Sequence, residues 1–173
     1  MPQDHIVLVG FMGTGKSTVG KLLSRKLGWE FADTDHVIEE TQGKTIPDIF
    51  AAHGEAYFRQ VESDILRQVL SGKRAVVATG GGAVLSVENR RLMREHGFVA
   101  ALIADAKTIV NRVGQDRNRP LLQGNTEQKV LKLLDERKHA YDFADVTIDT
   151  SLLDSEEVAR RILMSRQKWM SRA

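Results

Sequence analysis

The chain has 173 residues, 42% apolar and 28% charged, enough to bury a core and too apolar for a disordered tail. Lys and Arg number 25 against 23 Asp and Glu, a formal charge of +2 that does not by itself point to nucleic acid. Cysteine is absent, which excludes disulfides, thiolate metal sites and cysteine nucleophiles, and the five histidines (His5, His36, His53, His96, His139) show no ligand spacing.

Ile6-Val-Leu-Val9 is a β-branched run bounded by glycine and reads as a buried strand. Lys16 to Leu27 carries Val19, Leu22, Leu23 and Leu27 at a helical period, with Gly28 as its stop. Glu30 to Asp33 is a second strand, followed to Gly54 by short helical pieces, one started by Thr45 and Pro47. Ala56 to Leu70 is a helix with Phe58, Val61, Ile65 and Val69 on one stripe and Gly72 beyond its end. Ala75 to Ala78 is a strand that runs into Thr79-Gly80-Gly81-Gly82.

Ser86 caps the next helix and Gly97 closes it; Phe98 to Ile103 is a strand and Ala106 to Val113 a helix. Gly114 to Gly124 is polar and aperiodic. Thr126 caps a helix through Lys138, Val146 to Ile148 is the last strand, and Ser155-Glu-Glu opens the terminal helix with acids where its dipole favours them. Strands alternating with helices, each strand too apolar to face water, predict a parallel sheet covered on both faces. Gly43–Gly54 and Gly114–Gly124 read as insertions over one rim. The longest apolar run, Phe98 to Ala104, has seven residues where a bilayer span needs roughly 20. No secretory leader is expected before Ile6, so a soluble cytoplasmic domain is expected.

Gly10-Phe-Met-Gly-Thr-Gly15-Lys16-Ser17 matches G-x-x-x-x-G-K-[ST] without a mismatch, between a buried strand and an amphipathic helix. Its glycines let backbone N–H groups turn inward around phosphate oxygens, and the helix N-terminus adds partial positive charge. Lys16 can reach the β- and γ-phosphates and Ser17 can ligate Mg²⁺, so ATP or GTP with Mg²⁺ is expected here. The x positions Phe11, Met12 and Thr14 are expected to matter little.

Elsewhere each feature has two readings. Asp33 and Asp35 lie two apart after a strand, so both can aim at one spot, one for Mg²⁺ and one for an attacking hydroxyl; alternatively Asp35 caps the next helix. Arg59 and Glu62 are helix neighbours: a surface pair, or a carboxylate holding a guanidinium rigid to grip an anion. Three consecutive glycines cost backbone entropy and suit a ligand floor, though one or two would serve a turn. Arg112, Arg117 and Arg119 lie in or beside a segment that is either a lid over the nucleotide or a solvated basic loop. Arg137 and Tyr141 share a helix face, where a cation also suits the helix C-terminus.

Taken together, Gly10–Ser17, Asp33-Thr-Asp35, Phe58-Arg59-x-x-Glu62, Gly80–Gly82, Arg119-Pro-Leu-Leu122 and Arg137-x-x-x-Tyr141 resemble the shikimate kinase family across most of the chain. The resemblance implies a P-loop NTPase fold of the nucleoside-monophosphate-kinase type: an α/β three-layer sandwich on a five-stranded parallel sheet. It implies one domain over 1–173, with a substrate-binding insertion at about 34–60 and a lid at about 113–125. It implies ATP-dependent phosphorylation of the shikimate 3-hydroxyl, with Mg²⁺, by a monomer without nucleic-acid or membrane partners. Carried over by residue, Gly13, Thr14, Gly15, Lys16, Ser17 and Thr18 would hold the nucleotide. Arg112 would stack on adenine and Arg119 would reach the phosphates from the lid. Lys16, Asp35 and Arg119 would be catalytic, with Asp35 orienting or deprotonating the attacking hydroxyl. Arg59 and Arg137 would bind the carboxylate, Gly80, Gly81 and Gly82 would form the floor, and Ser17 and Asp33 would serve the metal. A kinase for another hydroxylated acid such as gluconate, and a non-catalytic nucleotide switch, are the competing functions.

Overall fold

The computed structural model describes residues 4–113 and 126–172. Five parallel strands, β1 (His5–Gly10), β2 (Glu30–Asp33), β3 (Ala75–Ala78), β4 (Gly97–Ile103) and β5 (Val146–Asp149), lie in the order β2-β3-β1-β4-β5. The helices are α1 (Lys16–Leu27), α2 (Thr34–Gln42), α3 (Ile46–Leu70), α4 (Val87–His96), α5 (Ala106–Val113), α6 (Thr126–Glu136) and α7 (Ser155–Ser171). A 3₁₀ turn, Ala83–Leu85, precedes α4.

Side-chain alternation along the central strands explains the layers. Val7, Val9, Val77, Val99 and Ala101 point to one face, where Leu66 and Leu70 of α3 and Leu92 and Met93 of α4 cover them. Ile6, Leu8, Val76, Phe98, Ala100 and Leu102 point to the other, against Val19 and Leu23 of α1 and Val158 and Ile162 of α7. Each Val, Leu, Ile, Phe or Met among them taken out of water contributes on the order of 1.5–3 kcal/mol, and the alanines less. The edge strands differ from the expectation of full burial: β2 and β5 are only partly covered, because each has a neighbour on one side alone.

Helix ends follow the local chemistry. Gly28 ends α1 at φ 68, its N–H donating to the Ser24 carbonyl. Thr45, Ser86 and Asp154 cap α3, α4 and α7 through side-chain oxygens. Three boundaries depart from expectation. The pieces on either side of Gly54 form one range, broken at Gly54 by φ 82 and ψ 175, which re-aims the helix carrying Arg59 and Glu62. Gly97 closes α4 as expected, its N–H donating to the Met93 carbonyl, but it is extended and also begins β4, where any Cβ would collide with the His5 carbonyl. Thr126 is the first residue of α6, which stops at Glu136; residues 137–143 form turns, so Arg137 and Tyr141 share a turn segment rather than a helix face.

His5 ties three elements at the amino edge of the sheet. It is fully buried; its Nε2 donates to the Leu70 carbonyl at 3.0 Å and its Nδ1 accepts from the Ala75 N–H at 3.2 Å. Those roles require the neutral ring, and burial holds its pKa below the ordinary 6.5, with His96 and Arg74 adding positive charge nearby. A depressed folded-state value leaves this contribution intact above 6.5 and removes it as pH falls through the lower native value. NMR titration of the native protein should give His5 a midpoint below 6.5, with thermal stability falling at acid pH; a midpoint at or above 6.5 contradicts this assignment.

Candidate active site

Parallel pairing puts the ends of β1, β2 and β3 on one edge of the sheet. Asp33 is in register with Ala78, and Ala78 with Leu8, so the loops after all three strands open on one crevice. A cavity of about 190 Å³ there is lined by Gly13, Gly15, Lys16, Ser17, Thr18, Asp33, Asp35, Thr79, Gly80 and Gly81.

The phosphate-loop side is prepared for an anion. Gly15 stands at the N-cap of α1 with φ 97, no side chain caps that helix, and its first turn holds no acid. The free N–H groups and the helix dipole together favour negative charge. Gly13 has φ 77, and a Cβ there would lie 2.8 Å from Val113 Cγ1, so glycine is required on both conformational and steric grounds. Lys16 Nζ donates to the Gly10 and Phe11 carbonyls at 2.7 and 2.9 Å, holding the ammonium at the mouth of the loop.

Ser17 Oγ donates to Asp33 Oδ2 at 2.7 Å, while Asp33 Oδ1 accepts from the N–H groups of Asp35 and His36. Asp33, not Asp35, is therefore the cap of α2. The strand stops at Asp33, so the two carboxylates converge through a strand-to-helix turn rather than along an extended chain. Ser17 and Asp33 supply hard oxygen ligands and fit Mg²⁺, which in nucleotide sites takes one or two protein oxygens and fills its sphere with water and phosphate.

Across the crevice, Gly80 sits between two carboxylates: a Cβ there would lie 2.7 Å from Asp35 Oδ1 and 2.8 Å from Glu62 Oε2. The Gly80 N–H donates to Thr34 Oγ1 at 3.2 Å, and the Gly81 carbonyl accepts from the Tyr141 hydroxyl at 3.1 Å, so side chains on both sides hold the glycine run. Arg59 lies against Gly82, where a Cβ would overlap its guanidinium. Arg59 Nη1 donates to Glu62 Oε1 at 2.9 Å, and Glu62 is 1% exposed. Glu62 is buried and Arg59 half-buried, which overturns the surface reading. Burial pushes the Glu62 carboxyl above its ordinary value, the Arg59 charge opposes this, and Asp35 adds to it.

Arg137 is 4% exposed, its guanidinium 5.6 Å from the Phe11 ring centre, and a Cβ on Gly81 would lie 3.5 Å from its Nη1. Three polar atoms beside the glycine run, Arg137 Nη1, Arg59 Nε and Glu62 Oε2, are buried with no hydrogen-bond partner among the described residues. Such atoms cost free energy unless something satisfies them.

The crevice thus gathers Gly13, Gly15, Lys16, Ser17, Thr18, Asp33, Asp35, Gly80 and Gly81 on one cavity, with Arg59, Gly82 and Arg137 against the same glycine run. Thr14 and Arg112 line a neighbouring cavity of about 250 Å³ with Gly15, Thr18, Thr150, Leu153 and Ser155. Arg112 bonds there to the Gly13 carbonyl and to Thr150. Arg117, Arg119 and the segment expected to form a lid lie outside the described residues. The x positions of the phosphate loop do matter. Phe11, Met12 and Thr14 are buried; Phe11 and Met12 pack with Ile109, Val113 and Val130, and Phe11 lies beside Arg137. Sequence reasoning missed Thr34, the middle residue of Asp33-Thr-Asp35, and Thr150, which stands in no motif. The helical spacing of Arg59 and Glu62 hinted at their pairing without showing its burial.

A family model described as shikimate kinase matches residues 12–166. A shikimate kinase of Moorella thermoacetica is 46% identical over 96% of this chain and 96% of that relative. One of Thermodesulfovibrio yellowstonii is 44% identical over 95% of each. Among solved structures, shikimate kinase from Acinetobacter baumannii in complex with shikimate aligns with a TM-score of 0.92 at 42% identity, covering 96% of this chain and 94% of that one.

Gly82→Ala drives a methyl into the Arg59 guanidinium, the far end of a flexible side chain, and should displace it at little cost in unfolding free energy while weakening binding of a small carboxylate in the crevice. Denaturant unfolding and calorimetry together check it, and an unchanged affinity contradicts the contact.

Proposed function

The chain belongs to the shikimate kinase family and is an ATP-dependent kinase, and we propose how its crevice transfers the phosphoryl group to the shikimate 3-hydroxyl. The supporting observation is the buried Arg137 guanidinium, whose Nη1 has no hydrogen-bond partner among the described residues and faces the glycine run across from the uncapped start of α1. One half of the crevice suits a chain of phosphates, and the other suits a small carboxylate.

Shikimate is a compact ring with one carboxylate and three hydroxyls. Arg137 and Arg59 grip the carboxylate, Arg59 being held for the purpose by Glu62. Gly80–Gly82 let the ring approach the main chain, and the ledge sets its depth. Asp35, beside Gly80 on the shared cavity, accepts a hydrogen bond from the 3-hydroxyl and points its oxygen at the γ-phosphorus. The hydroxyl oxygen bonds to that phosphorus as the bond to the β,γ-bridging oxygen breaks. The hydroxyl proton leaves toward Asp35, and ADP departs with the bridging oxygen. Lys16 and the α1 amides counter negative charge spreading over the phosphate oxygens. Mg²⁺, held by Ser17 and through water by Asp33, would supply further charge neutralisation when bound.

A substrate panel tests this directly: ADP release with Mg-ATP should require shikimate and not appear with gluconate. Equal release with either acid, or with neither, contradicts the assignment. Asp35→Asn should leave the ATP KM nearly unchanged while kcat falls about 10²–10⁴-fold, since orientation and proton acceptance are both lost. Turnover at the parent rate removes Asp35 from the chemical step. Arg137→Ala should raise the shikimate KM by an amount equivalent to roughly 2–5 kcal/mol, the worth of a buried charge pair, without moving the ATP KM. An unchanged shikimate KM defeats the carboxylate assignment.

A further inference from the structure

The loop Gly10–Ser17 contains glycines at 13 and 15 with φ 77 and φ 97, a backbone with many alternatives. Amides that must meet phosphates without reorganising need something to hold that loop in one shape. Thr150, the residue after β5, is 3% exposed and belongs to none of the motifs. Its N–H donates to the Ile103 carbonyl at 2.8 Å, and its Oγ1 lies 2.9 Å from the Thr14 carbonyl and 3.2 Å from that of Ile103. A hydroxyl has one proton, and the Ile103 carbonyl is already served by the Thr150 amide. The proton therefore goes to Thr14, the shorter contact.

Arg112 works from the same side. Its Nη1 donates to the Gly13 carbonyl at 2.9 Å and to Thr150 Oγ1 at 3.3 Å, and its Nη2 donates to the Thr150 carbonyl at 3.2 Å. Two consecutive carbonyls of the loop, Gly13 and Thr14, are thus held by donors in contact with each other. In a trans peptide the carbonyl of one residue and the N–H of the next point in opposite directions, and the described residues contain no cis bond. Holding those carbonyls turns the Thr14 and Gly15 amides away from Arg112 and Thr150, with the orientation a phosphate cradle requires.

We propose that Thr150, acting with Arg112, is a positioning residue of the nucleotide site, fixing the Gly13 and Thr14 carbonyls so that the Thr14 and Gly15 amides are preset for the phosphate chain. This rests on ATP binding at Gly10–Ser17. Arg112 then acts through the loop, beyond any stacking on the base. Thr150→Val keeps the shape and removes the proton; Thr150→Ser keeps the proton. Calorimetry with ATP and with inorganic tripolyphosphate, which has no base, separates the phosphate cradle from the base pocket.

In Thr150→Val both ligands should bind about tenfold more weakly, the worth of one net hydrogen bond, while the shikimate KM moves less than about twofold and Thr150→Ser binds like the parent. Arg112→Met, altering an exposed residue, should weaken both ligands in the same way and serves if Thr150→Val fails to fold. Unchanged affinities, a loss for ATP without one for tripolyphosphate, or a serine variant as weak as valine would each overturn the proposal. Because binding is read without turnover, a failure to phosphorylate shikimate is told apart from a failure of this proposal.

Discussion

Charge taken out of water must be answered by charge or by hydrogen bonds, and the acid-facing half of this crevice is built around that requirement. Arg137 and Glu62 are almost wholly buried and Arg59 is largely so. The Arg59–Glu62 bond answers part of the demand, and the Phe11 ring beside Arg137 answers a little more. Arg137 Nη1 and Arg59 Nε remain without hydrogen-bond partners among the described residues. A pair retained only for stability would be replaced at little cost by apolar side chains of similar volume. Its place beside three glycines, on the rim of a phosphate loop, gives the unsatisfied donors a use: a small anion completes the set.

The fold brings the two halves of the crevice together through topology. Because every strand is parallel, the loops after β1, β2 and β3 all emerge at one edge. The phosphate loop, the Asp33–Asp35 turn and the glycine run are therefore neighbours although about 70 residues separate the first from the last. The break at Gly54 re-aims the second half of α3, and the turns after α6 carry Arg137 in from the other side. Phe11 joins the halves physically. Its carbonyl accepts from Lys16 and Thr14, and its ring lies beside Arg137. A residue within the nucleotide motif thereby supports the group that faces the acid.

The parts of this arrangement that announce themselves in sequence are those whose chemistry demands particular residue types at fixed spacing. The phosphate loop, the central strands and the Gly80–Gly82 run are of that kind. Long-range contacts leave no such trace. Nothing in the spacing of Arg59 and Glu62 says that their pair is buried, because burial comes from α3 packing on the sheet and on α2. The neighbourhood of Thr150 and Thr14 spans 136 positions and has no periodic or motif signature. Asp35 was open to a capping role because the capping rule fits any acid near a helix start, and here Asp33 fills it. The edge strands carry Glu30, Asp33, Thr147 and Asp149 where the central strands are almost wholly apolar, and their place at the ends of the sheet order leaves them partly exposed.

The dependence on a buried guanidinium pair is read most directly from the ligand side. Calorimetric titration with shikimate and with its methyl ester compares a charged carboxylate with a neutral ester that adds one methyl group. Shikimate should bind at one site, and the ester should bind at least tenfold more weakly, the loss expected when a charge-assisted contact worth about 1.5–3 kcal/mol disappears. Equal affinities would mean that Arg59 and Arg137 are not there to hold the acid.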